Sequence, residues 1–437
     1  MFPLNPAHPI LRKDGVVRPF DTLPPELVSN IFERSAYFRT TVGDSKSRSR
    51  FPMVLLQICR RWRSIAIATP TLWTDIVILS SEKSHHLDLD AARLYVERSG
   101  SCPISLTWYH TSWNQNPVVH DILFPTSPRL RNITIYTTGF DVRDSLLVVL
   151  EAMPFHILEY LRCHANQHPY PVVASLAAVE LNAPRLRHGI FTNYIIPAGN
   201  FSSMVTLEIG LFGFIRQFIA AAFFDLLRNV SQTLKCLRLR ITNRALQGYT
   251  SSAPKIQLPA LAVLDLRFTS ELLLFISTPN LHTLCLEGYH ENTISPFISF
   301  DAPKLTHLKL ETLPLLDLET IPGFPWRFQE LETVILYRCQ STKSFFYCAS
   351  STRGGTPAFP SLTSIIFNDP DAFPSIRSMV EGQKAADLGR PTLRWLRFLT
   401  EHHVPGLAHS DMEWITAQGI AFSEGRDMGE SWTTRAV

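Results

Sequence analysis

Two clusters of histidine and acidic residues are the first candidates for metal chemistry in this chain of 437 residues. They consist of His85, His86, Asp88 and Asp90 in one place and of His402, His403 and His409 in another. Zinc sites use a small set of ligand spacings, and neither cluster matches one of them. We interpret the first cluster as the solvated start of a helix, and we expect neither a metal nor another cofactor.

Motifs of catalysis and phosphate binding offer no better candidate. The sequence has no Walker loop, no GxSxG, no HExxH and no CxxC pair. A catalytic triad built from distant residues escapes such a search, because its members need not be adjacent. The basic run KSRSR at 46–50 fits a localisation or phosphorylation element, but we interpret it as a solvated loop. We therefore expect a protein without an active site, and an unrecognised enzyme stays as the third alternative.

A binding surface is indicated by charged and aromatic residues that alternate with leucines. Cations and aromatic rings are the side chains that most often anchor a protein interface. The candidate target-binding residues are Arg162, Arg238, Arg240, Arg267, Lys309, Tyr337 and Trp395. Residues at equivalent positions are His164, Asp265, Glu287, Glu311 and Arg397. The charges are mixed but lean basic at 238–240, which suggests an acidic feature on the partner; the alternative is a set of merely solvated strand positions.

These side chains belong to a theme that recurs along the chain, a proline or another loop residue followed by LxxLxL. The eleven copies begin at Leu130, Leu158, Leu186, Met204, Leu234, Leu261, Leu281, Leu305, Leu331, Leu362 and Leu393. The ten steps between them average about 26 residues and run from 18 to 31. This mean lies within the period of leucine-rich repeats, so we expect an irregular array of that type.

The pattern LxxLxL explains how such strands would assemble. Its last two apolar residues are two apart, so on a strand they point to the same face. One strand buries little by itself, whereas stacked neighbours share a core and form a parallel sheet whose concave face presents the intervening residues. Stretches between strands, such as 213–230, carry helical periodicity and are expected to cover the convex side. Asparagine is mostly missing after the strands, so we expect variable turns; unrelated strands in a conventional α/β domain are the alternative.

The N-terminal part has a different, helical pattern. Residues 22–34, TLPPELVSNIFER, predict a helix that Thr22 caps and whose first turn contains two prolines. Leu27, Ile31 and Phe32 form its apolar stripe. A polar connection at 37–50 separates this helix from the next.

A second long helix is predicted after that connection. Its apolar residues recur at steps of three and four, and they are Val54, Leu55, Ile58, Trp62 and Ile65. Pro70 ends the helix, and Leu72 and Trp73 are expected to dock directly after it.

Two shorter helices complete the prediction. Residues 85–100 predict a helix that buries Leu87, Ala91 and Leu94 and stops at Gly100. Near the C-terminus, Ser410 and Glu413 predict a capping box, and 419–422 predict a last strand that covers the end of the array.

The segments LPPELVSNIF, ICRRWRSIA and PTLW, in this order, closely resemble the F-box motif over about 55 residues. The connection between the helices is several residues longer than a compact F-box needs. The resemblance implies a three-helix module that docks onto the adaptor subunit of an SCF-type ubiquitin ligase and, through it, onto a cullin scaffold. The implied adaptor contacts are Leu23, Pro24, Leu27, Ile31, Val54, Leu55, Cys59 and Trp62. A helical hairpin packed on its own core is the alternative, although so small a module buries its apolar surface poorly without a partner.

Composition restricts the location and the partners of the chain. It is 45% hydrophobic, and its net charge of +3 is too balanced to favour nucleic acid or an anionic membrane. Seven scattered cysteines favour a reducing compartment. The N-terminus lacks the pattern of a signal peptide, and charged residues interrupt the most apolar stretch, 211–227. We expect a cytoplasmic and/or nuclear protein that contacts no membrane.

The sequence thus predicts an α/β protein in which a three-helix F-box precedes an irregular leucine-rich-repeat solenoid with a parallel sheet. We expect an N-terminal arm at 1–19, the F-box domain at 20–79, a linker helix at 80–101, the repeat domain at 102–425 and a tail at 426–437. The chain is similar to the large sets of F-box proteins found in fungi. The expected function is that of a substrate receptor in a ubiquitin ligase, holding an unknown target protein with the repeats. The alternative is a scaffold that binds the adaptor without causing degradation.

Overall fold

The structure is a computed structural model, and it divides the chain into two compact units, Met1–Thr107 and Trp108–Val437. The residues that it describes are 22–42, 51–79, 85–110, 118–137, 150, 153–165, 181–192, 201–211, 218–241, 254–288, 300, 302–312, 327–339, 342–350, 352–353, 356–357, 359–385, 393–400 and 407–426. No helix among these residues has the length and the run of apolar residues needed to cross a bilayer.

The first unit is mainly helical. Its elements are the helices Pro25–Val42 (α1), Phe51–Ile58 (α2), Arg60–Ile67 (α3) and His85–Arg98 (α4), a 3₁₀ turn at Pro70–Trp73 and the strand Asp75–Leu79 (β1). The chain then enters a second strand, Ile104–His110 (β2), at whose start the Ser105 amide donates to the Thr74 carbonyl at 2.9 Å.

The start of α1 differs from the prediction that Thr22 caps it. The helix begins at Pro25, and the Pro24 carbonyl accepts hydrogen bonds from the amides of Leu27 at 3.1 Å and Val28 at 3.2 Å. Pro25 suits the first helical position because its missing N–H would have had no partner there. At its other end the helix continues to Val42, so 37–42 are helical although the sequence predicts a polar connection.

The second predicted helix is divided into two helices, α2 and α3, in the structure. The backbone of Cys59 is extended, with φ −156° and ψ 167°, and it separates α2 from α3. Its sulfur accepts a hydrogen bond from the Trp62 amide at 3.4 Å, and its carbonyl accepts from the Arg63 amide at 3.0 Å. Cys59 therefore caps α3, a role that the continuous apolar periodicity concealed.

Trp73 forms the centre of the packing in this unit, as its predicted docking after Pro70 implies. Its indole is fully buried and donates to the Ala66 carbonyl at 2.8 Å. The Tyr95 ring meets it edge-on at 5.0 Å, and the Arg98 guanidinium lies 4.4 Å from its ring centre. These contacts attach α4 to the end of α3.

Helix α4 is where the sequence predicts it, but the predicted buried face is wrong. The buried residues are Leu89, Ala92 and Tyr95, whereas Ala91 is exposed and Leu94 half-buried; the Leu87 side chain lies outside the described residues. Both sets have helical spacing, and docking onto Trp73 selects between them. Gly100 has a φ of +56°, which a glycine adopts without strain, and it ends the helical segment as predicted.

In the described part of the chain, fourteen strands form one sheet whose order in space equals their order along the chain. Besides β1 and β2 they are Leu130–Thr137 (β3), Tyr160–Ala165 (β4), His188–Thr192 (β5), Thr206–Leu211 (β6), Cys236–Ile241 (β7), Val263–Arg267 (β9), Thr283–Glu287 (β11), His307–Glu311 (β12), Thr333–Tyr337 (β13), Ser364–Phe367 (β16), Trp395–Thr400 (β17) and Ala421–Arg426 (β18). From β3 to β18 every neighbouring pair is parallel. The prediction of an α/β chain with a long, repeat-like parallel sheet is confirmed.

Among the described residues, two minor sheets and four helices of eight or more residues lie between the strands from β3 to β18. The minor strands are Ile256–Gln257 (β8), which pairs with Ile276–Ser277 (β10), and Thr352–Arg353 (β14), which pairs with Thr356–Pro357 (β15). The helices are Phe218–Val230 (α5), Thr342–Ser350 (α6), Phe373–Ala385 (α7) and His409–Ala417 (α8). Short helical turns at Val119–Leu123, Phe124–Thr126 and Ser127–Arg129 precede β3.

One face of the sheet is a continuous apolar ladder. The residues that begin the eleven LxxLxL copies, from Leu130 to Leu393, are each 3% exposed or less. The two later apolar positions of every copy are buried as well. One of these positions holds Gly189, where an added Cβ would stand 2.8 Å from the Phe191 ring, so neighbouring side chains already fill its place. The eleven copies thus form the shared core that the pattern predicts.

The C-terminal elements agree with the prediction in part. The last strand, β18, exists and pairs in parallel with β17, and α8 precedes it. The predicted capping box is wrong, because α8 begins at His409 and its cap residue, Ala408, makes no side-chain bond. Ser410 therefore lies inside the first turn, two residues past the cap position.

Candidate functional site

Four exposed aliphatic side chains on α1 and α2 form the candidate site in the first unit. Leu27 is 49% exposed and Ile31 39% on α1, and Val54 is 48% and Ile58 51% on α2. The members of each pair are four residues apart, so they share one face of their helix. We call these four residues the helical aliphatic surface. Scattered exposed leucines are ordinary in proteins, but two stripes on consecutive helices indicate an interaction surface.

The remaining residues predicted to contact an adaptor have different environments. Pro24 and Cys59 are exposed, whereas Leu23 and Trp62 are half-buried. Leu55 is only 3% exposed, so its side chain belongs to the core and offers little surface to a partner. Ile58 was not among the predicted contacts, although it lies one turn after Val54 and that spacing would have identified it.

Polar clamps fix α1 against the segments that follow it. The Arg61 guanidinium donates to the Leu23 carbonyl, and the Ser29 and Thr69 hydroxyls lie 3.0 Å apart. The Phe32 and Trp62 rings pack with their centres 4.9 Å apart. The two hydrogen-bonded contacts span about forty residues of sequence, and together with the ring contact they hold the exposed stripe of α1 in place.

The second candidate site is the face of the sheet opposite the apolar ladder, which we call the polar face. Rows of side chains cross it in register, and two of these rows contain its acids, arginines and lysine; a third row contains Tyr160, His188 and Trp395. The first row runs Thr134, Arg162, Ile190, Glu208, Arg238, Asp265, Cys285, Lys309, Ile335, Ile366 and Arg397. The second row runs Tyr136, His164, Thr192, Gly210, Arg240, Arg267, Glu287, Glu311 and Tyr337. The structure therefore brings most of the predicted target-binding residues onto one face.

The middle of the polar face is a charged block of eight residues on β6 to β12. It contains four acids and four bases: Glu208, Asp265, Glu287, Glu311, Arg238, Arg240, Arg267 and Lys309. Arg238 Nη1 lies 3.9 Å from Glu208 Oε2, and Lys309 Nζ lies 2.8 Å from Glu311 Oε2. The block carries no net charge, so the basic bias that the sequence suggests at 238–240 is balanced by residues from other repeats.

Arg267 connects the acids of this block. Its Nε lies 3.3 Å from Glu287 Oε2 and 3.7 Å from Asp265 Oδ1. Burial raises the pKa of the Asp265 carboxyl, and nearby arginines, Arg267 first, oppose that rise without cancelling it. Burial also raises the pKa of Glu287, with a further contribution from the negative charge of Glu311. The acids at the centre of the block therefore hold protons more tightly than free side chains do.

Aromatic rings and one arginine occupy the polar face at β2 to β4. The Tyr109 and Tyr136 rings stack with centres 4.7 Å apart and planes 11° from parallel. His164 meets Tyr136 at 5.7 Å, and the Arg162 guanidinium lies 5.8 Å from the same ring. Arg162 also hydrogen-bonds the Tyr160 side chain, whose pKa is raised, mainly by burial. We call Tyr109, Tyr136, Tyr160, Arg162 and His164 the tyrosine cluster.

An apolar cluster occupies the polar face at β13 to β17. Tyr337, Ile366 and Leu399 are 6%, 1% and 7% exposed, and Ile335 and Trp395 pack against them. Tyr337 and Trp395 were predicted to bind a target, but Tyr337 is too deeply buried to present its ring. Tyr337 and Trp395 both lie on the polar face, but the sequence does not predict their burial, because the residues that cover them belong to neighbouring repeats.

Metal ligands and reactive thiols are the remaining candidates for chemistry among the described residues. Among the described residues, no group of three or more histidine, cysteine or acidic side chains is close enough together to hold a metal ion. Of the first histidine cluster, the side chains of His85, His86 and Asp88 lie outside the described residues, as do His402 and His403. The described cysteines are free thiols, and burial raises the pKa of Cys163 and Cys285 to about 12. Those two thiols stay protonated at neutral pH and are poor nucleophiles.

Comparisons with known proteins do not assign a family. No protein-family model matches the chain, and no curated protein matches it. Among solved structures, it is similar to a crystal structure of a protein from Bacteroides fragilis, with 13% sequence identity. The match covers 81% of this chain and 85% of that one, at a TM-score of 0.29, which carries no argument about fold or function.

Proposed function

We propose that this chain is a substrate-receptor subunit of an SCF-type ubiquitin ligase. In this proposal the F-box-like segment 20–79 binds the adaptor and, through it, a cullin scaffold, while the polar face of the sheet holds a target protein. The observation that carries the proposal is the helical aliphatic surface, in which four large side chains are 39–51% exposed. They lie inside the segment whose sequence resembles the F-box motif.

Burial of that surface would supply a substantial part of the free energy of adaptor binding. Burying a fully exposed leucine or isoleucine is worth about 1.5–3 kcal/mol, and these side chains are about half exposed. Four of them together correspond to roughly 3–6 kcal/mol before the costs of association. The polar clamps from Arg61 and Ser29 already fix α1, so little ordering of this helix would oppose binding.

The proposed mechanism is proximity, with no chemistry by this chain. A target held on the polar face and an adaptor held on the helical aliphatic surface become parts of one complex. Ubiquitin transfer by the other subunits is then effectively intramolecular, with an effective concentration set by geometry. In this proposal the chain needs neither a cofactor nor a metal ion.

The test is co-purification of the adaptor with the full-length chain carrying Leu27→Asp or Val54→Asp. Each substitution places a charge on the helical aliphatic surface, so we expect at least a tenfold loss of bound adaptor. Leu274→Asp is the matched control, because Leu274 is 41% exposed but belongs to the second unit. Undiminished adaptor with Leu27→Asp and Val54→Asp would contradict the proposal.

The fate of the target separates a receptor from a non-degradative scaffold. Proteins captured by the chain after proteasome inhibition are identified by mass spectrometry, and their abundance is followed after deletion of 20–75. A receptor predicts that at least one captured protein accumulates in cells that carry only the deleted form. Unchanged abundance of every captured protein would assign the scaffold function instead.

A further inference from the structure

We infer that the tyrosine cluster is an anion-recognition site that takes the carboxylates of an extended acidic segment on the target protein. This inference rests on the proposed function, because it names the class of target that the polar face would hold. It moves the recognition site from the charged block at 238–240 to β2–β5, at the opposite end of the polar face from the apolar cluster.

The first step is the distribution of charge along the sheet. Strands β2, β3, β4 and β5 contain no acidic residue, whereas Arg162 and His164 project from β4 and His188 lies on β5. The charged block on β6–β12 has equal numbers of acids and bases and neutralises itself. Electrostatic complementarity with an anion is therefore concentrated at the tyrosine cluster.

The second step is the state of Arg162. Its guanidinium contacts the Tyr136 ring and the Tyr160 hydroxyl, and its Nε is buried without a hydrogen-bond partner. In the part of the chain that the structure describes, no carboxylate pairs with it, unlike Arg238 and Arg267. The cation–π contact with Tyr136 and the hydrogen bond with Tyr160 restrain its planar donor group, which favours a carboxylate over a mobile counter-ion.

The third step is spacing, which favours several carboxylates over one phosphate. Arg162 and His164 are alternate residues of one strand, about 6.6 Å apart along it, and both lie on the polar face. Side chains at alternate positions of an extended peptide have the same separation. A phosphate group concentrates its charge at one point and would use clustered cations, whereas two alternating acids fit two donor groups, a guanidinium and an imidazole, placed one strand period apart. The half-buried tyrosines between them supply flat surface for the peptide.

The test measures peptide binding by fluorescence anisotropy with the full-length protein. The acidic probe is a labelled peptide of about twelve residues that alternates Glu and Ser, so that its carboxylates recur at the strand period and it extends past both ends of β4. The neutral probe has Gln in place of Glu. We expect the acidic probe to bind about tenfold more tightly, and Arg162→Gln to remove about that factor, as expected for one charge-assisted hydrogen bond.

Two controls separate this site from general electrostatics and from misfolding. Arg238→Gln removes one cation of the charged block and is expected to change affinity for the acidic probe less than twofold. Arg162→Lys keeps the positive charge and is expected to retain a preference for the acidic probe. Thermal unfolding of each variant identifies any loss of the fold.

Equal binding of both probes, or unchanged binding by Arg162→Gln, would overturn the inference. A third probe carries phosphoserine among neutral residues, and selective binding of that probe alone would overturn the assignment to carboxylates. Adaptor co-purification is measured on the same Arg162→Gln protein and is expected to be normal. Loss of adaptor binding through Leu27→Asp with normal peptide binding shows that the two surfaces act independently, whereas an adaptor that never binds overturns the proposed function alone.

Discussion

Arg238 on β7 stands directly opposite Glu208 on β6, and their charged groups are 3.9 Å apart on the polar face. The side chains are 17% and 23% exposed, so water screens their interaction only in part. This pair joins two repeats whose leading residues, Met204 and Leu234, are thirty positions apart. Arg238 therefore has an acidic neighbour within the chain before any target binds.

The first prediction concerns the energy of that pair. Arg238→Gln leaves Glu208 with less compensation in a half-buried environment, so we expect the free energy of unfolding to fall by about 1–2 kcal/mol. A double-mutant cycle with Glu208→Gln is expected to give a coupling of about 0.5–1 kcal/mol by urea denaturation. Arg228→Gln is the control, because its pair with Asp225 lies exposed on α5 and is expected to contribute less than about 0.5 kcal/mol. Equal effects at both sites would show that register does not couple these charges.

The second prediction separates two neighbouring residues of α2. Leu55 is buried, so Leu55→Ala is expected to reduce the free energy of unfolding by about 2–4 kcal/mol. Val54 is 48% exposed, so Val54→Ala is expected to change stability by less than about 0.5 kcal/mol while weakening adaptor binding. Chemical denaturation and adaptor co-purification measure the two effects. The assignment of Leu55 to the core fails if the two variants are equally stable.

The third prediction is a pH dependence centred on Asp265. Its pKa is raised in the folded protein, mainly by burial, so the folded state binds the proton more tightly than the unfolded state does. The contribution of this residue to stability is therefore largest below the unfolded pKa of about 3.9 and falls as pH rises through the folded value. Comparing the wild type with Asp265→Asn, we expect the wild type to lose stability relative to the variant as pH rises from about 4 to 7. A difference that is constant across this range would contradict the raised pKa.

The fourth prediction tests the cap of α3. The Cys59 sulfur accepts from the Trp62 amide, so Cys59→Ala is expected to lower the free energy of unfolding by about 0.5–1 kcal/mol. Serine is a stronger cap than cysteine because its oxygen accepts at a shorter distance, so Cys59→Ser is expected to match or exceed the wild type. Urea denaturation of the three proteins checks the order. A serine variant less stable than the alanine variant would exclude the capping role.

The strands of the sheet could be predicted from the sequence because the pattern of buried apolar residues is local to each strand. Residues such as Leu261, Leu264 and Leu266 occupy one short segment, and alternation within a strand decides their face without reference to other repeats. All eleven segments followed this rule, and the predicted strands were found.

The buried faces of the helices were harder to predict. Two apolar stripes with the same spacing are equally plausible until the element that packs against the helix is known. In α4 the sequence favoured Ala91 and Leu94, and docking on Trp73 selected Ala92 and Tyr95. In α2 it grouped Leu55 with Val54, although only one of them points outward. The break at Cys59 was hidden for the same reason, because an apolar period continues across it.

The candidate binding surface could be predicted only in part. The sequence identified Arg162 and His164 as outward residues, because alternation is local. It did not identify the stack of Tyr109 on Tyr136, since that contact depends on how β2 and β3 are aligned with each other. The neutrality of the charged block was equally hidden, because Glu208 and Arg238 meet only after the loops have set the strands side by side.

The strands occur in the sheet in the same order as along the chain, and this order affects how the protein folds and how it can vary. From β3 onward each strand pairs only with main-sheet strands adjacent to it along the chain, so closing one pair requires a loop of modest length. Assembly can start at any pair and spread in both directions, and stability becomes a sum over nearest neighbours. One loop-and-strand segment can then be gained or lost while distant registers stay the same, so the width of the polar face is the dimension most open to evolutionary change.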